Sequence, residues 1–300
     1  MNELTGRGRG RTRPAPGTHT LWRQARWLWP LLVGLALLAA RPAGAATIPH
    51  GPSFALDPSG PLQALPAVAA GASGAAVVVW QTFDGAGTGT DIVAQLRLPG
   101  GATRQFVVHE ERAGDQVRPA VAMDASGAFA VAWEQPSASD KADVFVRFFG
   151  PDGEPLGVEQ EASVELTSND RTPDIAMSPD GHTIVVWSSE VRSGGQLGDT
   201  HWRLYAASFA PGGARTGGWR VGETMPGDQT APRVAMAARD RYAVAWMYTP
   251  PQVNGAPPEA NAAKVRLARA TPAGIVEELV APGQVGAQGD PAVAIDAAGT

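Results

Sequence analysis

Five histidines, His19, His50, His109, His182 and His201, are the side chains best suited to a transition metal, and their spacing builds no such site. The chain has no cysteine, which removes disulfides, thiolate metal sites, thiol nucleophiles and a lipoprotein anchor together. Asp91, Asp143 and Asp199 recur at matching places, where a ring of carboxylates would suit Ca²⁺ or sugar hydroxyls. No Asp-x-Asp-x-Asp loop accompanies them, so solvated turn and edge chemistry is the favoured reading. Glu110-Glu111 and Glu277-Glu278 put neighbouring acids on opposite faces of an extended chain, the wrong arrangement for a cooperating acid and base. Gly85-Ala-Gly87-Thr-Gly89 lacks the lysine and following helix of a phosphate loop and reads as a connector. Four tryptophans, Trp80, Trp133, Trp187 and Trp246, could form a stacking surface for sugars, but their apolar neighbours make them core. On these grounds no catalytic residue, metal ligand or cofactor is assigned, Ca²⁺ being the one ion the acids leave open, and the binding residues stay undefined.

The elements that carry these residues repeat. PAVAAGASGAAVVVW (Pro66 to Trp80) returns as PAVAMDASGAFAVAW (Pro119 to Trp133), PDIAMSPDGHTIVVW (Pro173 to Trp187) and PRVAMAARDRYAVAW (Pro232 to Trp246). A fifth copy begins as PAVAIDAAGT at Pro291. Steps of 53, 54, 59 and 59 residues exceed the period of leucine-rich, ankyrin or hexapeptide solenoids and suit a blade of four strands. Each unit opens with a strand starting at its proline, turns at a polar or Gly-containing tetrad, and returns as a strand ending in tryptophan. A third strand follows in DIVAQLRL, DVFVRFF, WRLYAASF or KVRLARA, and a fourth in segments such as VEQEASVEL (Val158 to Leu166) and IVEELV (Ile275 to Val280).

In the second strand Val78 and Trp80 share one face and Val77 and Val79 the other, so both faces are apolar. A sheet wetted on one side would alternate, whereas one pressed between two like neighbours need not. Ala69, Ala122, Ala176, Ala235 and Ala294 hold one column, small enough for blades to crowd around a channel. Taken alone, Arg233 to Tyr248 also reads as an amphipathic helix. Its alignment with VVVW and SPDG elsewhere argues for strands. The expected fold is therefore all-β: a β-propeller of four-stranded antiparallel blades, four nearly complete and a fifth begun, occupying residues 62–300 with blades starting near 66, 119, 173, 232 and 291.

The repeat of residues 119–156 is similar to tandem repeats of large secreted and cell-surface bacterial proteins, and SPDGHTIVVWSSE (Ser178 to Glu190) resembles the Ser-Pro-Asp-Gly hairpin of TolB-type propellers. That resemblance implies a propeller and an interaction role. Ser178, Asp180, Gly181 and Thr183 also echo the Ser-x-Asp-x-Gly-x-Thr-Trp motif of sialidases, but Trp187 lies four residues beyond Thr183 and the other copies lose the Ser and Thr.

Residues 1–45 read as a signal peptide: six arginines between residues 7 and 26, the apolar run Trp27 to Ala40, and a cleavage site at Ala43-Gly44-Ala45. Fourteen apolar residues are too few for a bilayer span of roughly 20 residues. Export follows, to the periplasm, the cell surface or beyond, with no membrane span after cleavage. Residues 46–61 are a linker or a closing strand. The remainder carries 17 basic and 28 acidic groups, a net −11 that is a poor match for nucleic acid. The chain stops in the turn before the fifth tryptophan strand, which reads as a fragment of a longer frame. The functional expectation is a non-enzymatic binding or scaffold module for a protein or carbohydrate partner, the alternative being a propeller glycosidase, sialidase-like, or a polysaccharide lyase.

Overall fold

The computed structural model describes residue 56 and residues 62–83, 89–110, 114–137, 141–163, 168–192, 200–222, 226–256, 260–271, 274–279 and 287–296. The basic leader, most of the 46–61 segment, Gly85 to Thr88, Asp199 and the final Gly299-Thr300 lie outside the described residues.

Four antiparallel sheets of four strands follow one another in chain order. The first holds β1 (Leu62–Ala70), β2 (Ala76–Phe83), β3 (Thr90–Arg97) and β4 (Thr103–Val107). The second holds β5 (Val117–Met123), β6 (Phe129–Pro136), β7 (Ala142–Phe149) and β8 (Gln160–Glu161). β9 (Asp170–Met177), β10 (Thr183–Arg192), β11 (Thr200–Phe209) and β12 (Arg215–Val221) form the third, and β13 (Asp228–Ala238), β14 (Arg241–Thr249), β15 (Lys264–Thr271) and β16 (Gly274–Leu279) the fourth. Each is a plain meander, its strands paired in sequence order. Arg233 to Tyr248 is a hairpin of β13 and β14, not a helix. Among the described residues no helix is long and apolar enough to cross a membrane.

The first strands of successive sheets pack on one another, β1 on β5, β5 on β9 and β9 on β13, which makes them the inner strands of consecutive blades. Both faces of the second strands are buried, as two-sided apolar patterning requires. In β6, Phe129, Val131 and Trp133 join the core shared with the first blade, while Ala130 and Ala132 join the core shared with the third. The four repeat tryptophans are 0–4% exposed. The architecture is a β-propeller.

Two details differ from the sequence reading. The inner strands begin three or four residues before the repeat proline in β1, β9 and β13 and two before it in β5, because each runs through the proline by way of a bulge. A bulge accepts a residue without an N–H to donate. Of the fourth strand expected over Val158 to Leu166, the described residues 158–163 pair at Gln160–Glu161, and residues 164–166 lie outside the described residues. The fifth copy, residues 287–296, forms no ladder among the described residues, but Gln288 seats it on the fourth blade through its N–H to Ala263 O and its Oε1 to the Val265 N–H.

Candidate functional site

Every residue that precedes a repeat proline has a left-handed backbone: Leu65, Arg118, Thr172, Ala231 and Asp290, with φ between 47° and 54°. That conformation costs a non-glycine residue about 1–2 kcal/mol, so the surroundings must hold it. The ladder slips at this point in each complete blade, between Ala64 and Ala67, Val117 and Ala120, Val186 and Ser188, and Thr230 and Arg233. At two of these positions the turned N–H finds a partner on the preceding blade, supplied by the residue after the tryptophan. Arg118 N–H donates to Gln81 Oε1 at 3.2 Å, and Thr172 N–H donates to Glu134 Oε1.

A second set of links lies four residues before the proline. Asp115 accepts from Thr90 N–H at 2.8 Å, Asn169 from Ala142 N–H at 3.1 Å and Asp228 from Trp202 N–H at 2.9 Å. Each ties the entry of an inner strand to the start of the previous blade's third strand. These repeated contacts are structural, since they satisfy backbone donors that blade stacking would otherwise strand.

What remains is the set of polar residues found in one copy only. After the tryptophan the copies read Gln81, Glu134, Ser188 and Met247; after the proline they read Ala67, Ala120, Asp174, Arg233 and Ala292. Glu134 is 1% exposed, with Arg118 Nε at 3.4 Å from its Oε1. Burial raises its carboxyl above the ordinary range, opposed by the Thr172 N–H and by the charges of Arg118 and Arg171. The Arg118 side chain is 55% exposed and so reaches from this buried acid into solvent. Asp174, half-buried on the face of β9 toward the fourth blade, accepts from Val234 N–H at 2.7 Å. Burial pushes its carboxyl up to about 6, against the Val234 N–H and the Arg233 charge. A carboxyl that titrates near 6 can hold a proton for transfer near neutral pH.

The residues singled out in the sequence sit elsewhere. Asp91 Oδ1 is 3.3 Å from His109 Nε2, and the same nitrogen accepts from Ile92 N–H at 3.2 Å, so that pair closes the first blade. Asp143, on the next blade, is raised by burial. Asp199 lies outside the described residues, as do His19, His50 and Glu111. Among the described residues no group of three or more His, Asp or Glu side chains is placed to hold a metal. Glu110 pairs with Arg147, and Glu277 and Glu278 fall on β16.

The Ser178 hairpin is at the opposite end of β9 from Thr172 and satisfies itself. Ser178 Oγ donates to Asp180, His182 Nδ1 lies 3.1 Å from it, and these contacts, the serine first, hold Asp180 below its ordinary value. Arg118, Glu134, Arg171 and Asp174 escaped the sequence reading. The signal for two of them was legible in the alignment, as the columns where one acid replaces a glutamine or an alanine.

No family model matches the chain, and no curated protein matches its sequence. Solved structures do. An α-L-arabinanase of Penicillium chrysogenum, complexed with arabinobiose, is similar with a TM-score of 0.53 at 12% identity, over 75% of this chain and 71% of that one. A GH93 α-L-arabinofuranosidase of Fusarium graminearum has a TM-score of 0.48 at 11% identity, over 73% and 66%. A PL25 ulvan lyase has 0.45 at 10%, over 80% and 61%. The expectation of a non-enzymatic binding or scaffold module is corrected: the arabinanase, whose fold this chain shares at a TM-score of 0.53, is an enzyme. The physical reason agrees: a scaffold needs only the repeat's own residues, and Arg118 on β5, Glu134 on β6 and Asp174 on β9 each depart from the repeat in one copy.

Proposed function

We propose that this chain is a carbohydrate-active propeller that cleaves glycosidic bonds of an extracellular polysaccharide. The observation that carries the reading is the raised carboxyl of Asp174, a single-copy acid on β9, the inner strand whose Thr172 N–H donates to the buried Glu134, partner of the exposed Arg118. Asp174 gives its proton to the departing glycosidic oxygen as its C–O bond breaks; in hydrolysis a water gives its hydroxide to the anomeric carbon and its proton back to the carboxylate, and in elimination the C5 proton is lost to solvent base and a C4–C5 double bond forms. Arg118 meets the substrate's oxygens as a fixed cation. Glu134 is a positioning residue, holding Arg118 and the left-handed Thr172 in place. The basic leader followed by an apolar run supports export to where such polymers are found.

The test is a panel of arabinans, pectins and sulfated or uronate-rich polysaccharides, with reducing ends and unsaturated products followed in parallel. Reducing ends alone mean hydrolysis; unsaturated ends mean elimination. Asp174→Asn is expected to lower kcat by about 10²–10⁴-fold, the usual size of a general-acid contribution. Because the proton must be present, kcat/KM falls as pH rises through about 6. Turnover that survives Asp174→Asn undiminished would overturn the assignment, and absence of cleavage across the panel would overturn the class.

A further inference from the structure

We infer that the cleft between the second and third sheets is a binding site for one neutral sugar ring, separate from the Asp174 mouth. The two lie on opposite faces of β9, and the inference does not depend on turnover at the mouth.

The cleft opens beside β8, the shortest outer strand among the described residues: β4, β12 and β16 have five, seven and six residues, β8 two. The cavity there measures about 260 Å³. That is below the roughly 300–1,000 Å³ of sites for drug-sized ligands, which suits a single ring more than a chain of rings.

Strand register fixes what faces it. Asp170 pairs with Ser189, and both point toward the second blade. The next row on that face is Trp187, Tyr205 and Arg220, paired across β10, β11 and β12. Trp187 and Tyr205 stack, with centroids 6.4 Å apart and planes at 22°. The row beyond is Ala207 and Gly218, and Gly218, without a side chain, borders the hollow beside the aromatic pair. Arg215 closes the far side; a Cβ added at Gly218 would meet its Nη2 at 2.8 Å.

This lining matches a sugar in three ways. The aromatic pair offers an apolar surface to the C–H face of a ring. Asp170 accepts and the two guanidiniums donate, and a hydroxyl needs partners of both kinds. The charges balance: Arg215 and Arg220, with Arg203 near enough to Arg220 to feel its charge, stand against Asp170, Glu161 and Asp143, whose charges act on one another. Three cations among three acids give an anionic ligand no net attraction, whereas the hydroxyls of a neutral ring use both kinds. Sheet residues hold every named group, so the site is built on rigid elements.

The test is titration of the full chain with neutral monosaccharides (arabinose, galactose and glucose) and with glucuronate, read by calorimetry and saturation-transfer NMR. At least one neutral sugar is expected to bind, and Arg215→Ala and Gly218→Ala each weaken it by ten-fold or more. Gly218 lies on an outer strand without a positive φ, so its variant tests the cavity without disturbing the core. Asp174→Asn leaves this binding unchanged, which separates the cleft from the mouth. The inference is overturned if no neutral sugar binds, if glucuronate binds more tightly, or if binding survives Gly218→Ala and Arg215→Ala.

Discussion

The first and third blades carry the same inner-strand pattern and meet different surroundings. Val68 on β1 is 68% exposed, while Ile175 on β9 and Val234 on β13, in the same column, are 5% and 7%. Along β1 nearly every residue is exposed. β9 has an inner strand on either side, β5 and β13; β1 packs on β5 and its own hairpin partner β2. Burial is therefore conferred by the neighbouring blade and is not a property of the repeat itself, as expected of an array in which each unit contacts only its neighbours. The same apolar side chain is core in one copy and surface in another.

The largest expected effect follows from that column. Ile175→Ala should cost about 2–5 kcal/mol, the range for truncating a buried aliphatic side chain, because the sheets on either side cannot collapse into the space. Val68→Ala should fall within about 0.5 kcal/mol, as for a surface change. Urea unfolding of both variants measures the difference. Equal losses would mean that β1 is covered in solution and that the contrast between the blades is false.

How much of this was legible depends on whether a property belongs to one copy or to the contacts between copies. The two-sided apolar strands, the turns and the meander follow from local pattern, so Val77 to Trp80 and Ala130 to Trp133 read as inner sheet strands before any coordinates. The bulge at the proline did not, because a left-handed Arg118 or Thr172 is stabilised by Gln81 or Glu134 some 40 residues away, on another blade. The short β8 was hidden for a similar reason: Val158 to Ser163 belongs to a stretch of strand composition, yet among these described residues Gln160 and Glu161 alone pair with β7. Glu134 and Asp174 were visible as departures from their columns, but their burial, which raises both carboxyls, is a product of stacking.

A turn motif shared by the same two blades sharpens the comparison at smaller scale. Pro-Gly-Gly-Ala occurs at Pro99 to Ala102 and at Pro211 to Ala214, with matching hydrogen bonds, Gly101 N–H to Leu98 O and Gly213 N–H to Ala210 O, both 3.0 Å. Gly101 and Gly213 both have positive φ, 94° and 99°. A Cβ on Gly101 would meet nothing within 4 Å, whereas one on Gly213 would meet Phe148 Cδ2 of the preceding blade at 2.7 Å. Gly101→Ala should therefore lose only the backbone cost of about 1–2 kcal/mol. Gly213→Ala adds the overpacking cost of about 1–3 kcal/mol, since Phe148 is a core ring with no room to retreat. Thermal melts that rank the two variants equally would place Phe148 away from that turn.

The smallest effect distinguishes two acids of the third blade by sign. Asp174 has its folded-state carboxyl raised from 3.8 to about 6, chiefly by burial, so between those values the folded chain holds more proton than the unfolded chain. Stability from this group is greatest at low pH and declines as pH rises through about 6. Asp180 is the reverse: its carboxyl, 65% exposed, is lowered by the Ser178 hydroxyl, and its contribution is present above the ordinary value and fades as pH falls below it. In the first blade the position of Asp174 is Ala67 and that of Asp180 is Ser73, so neither dependence arises there. Asp174→Asn should flatten the change in stability between about pH 4 and 6 and leave the more acidic limb in place, as read from urea midpoints across that range. A slope that persists in Asp174→Asn would assign it to another buried acid of the third blade, Asp170 being the one whose carboxyl is raised in the same direction.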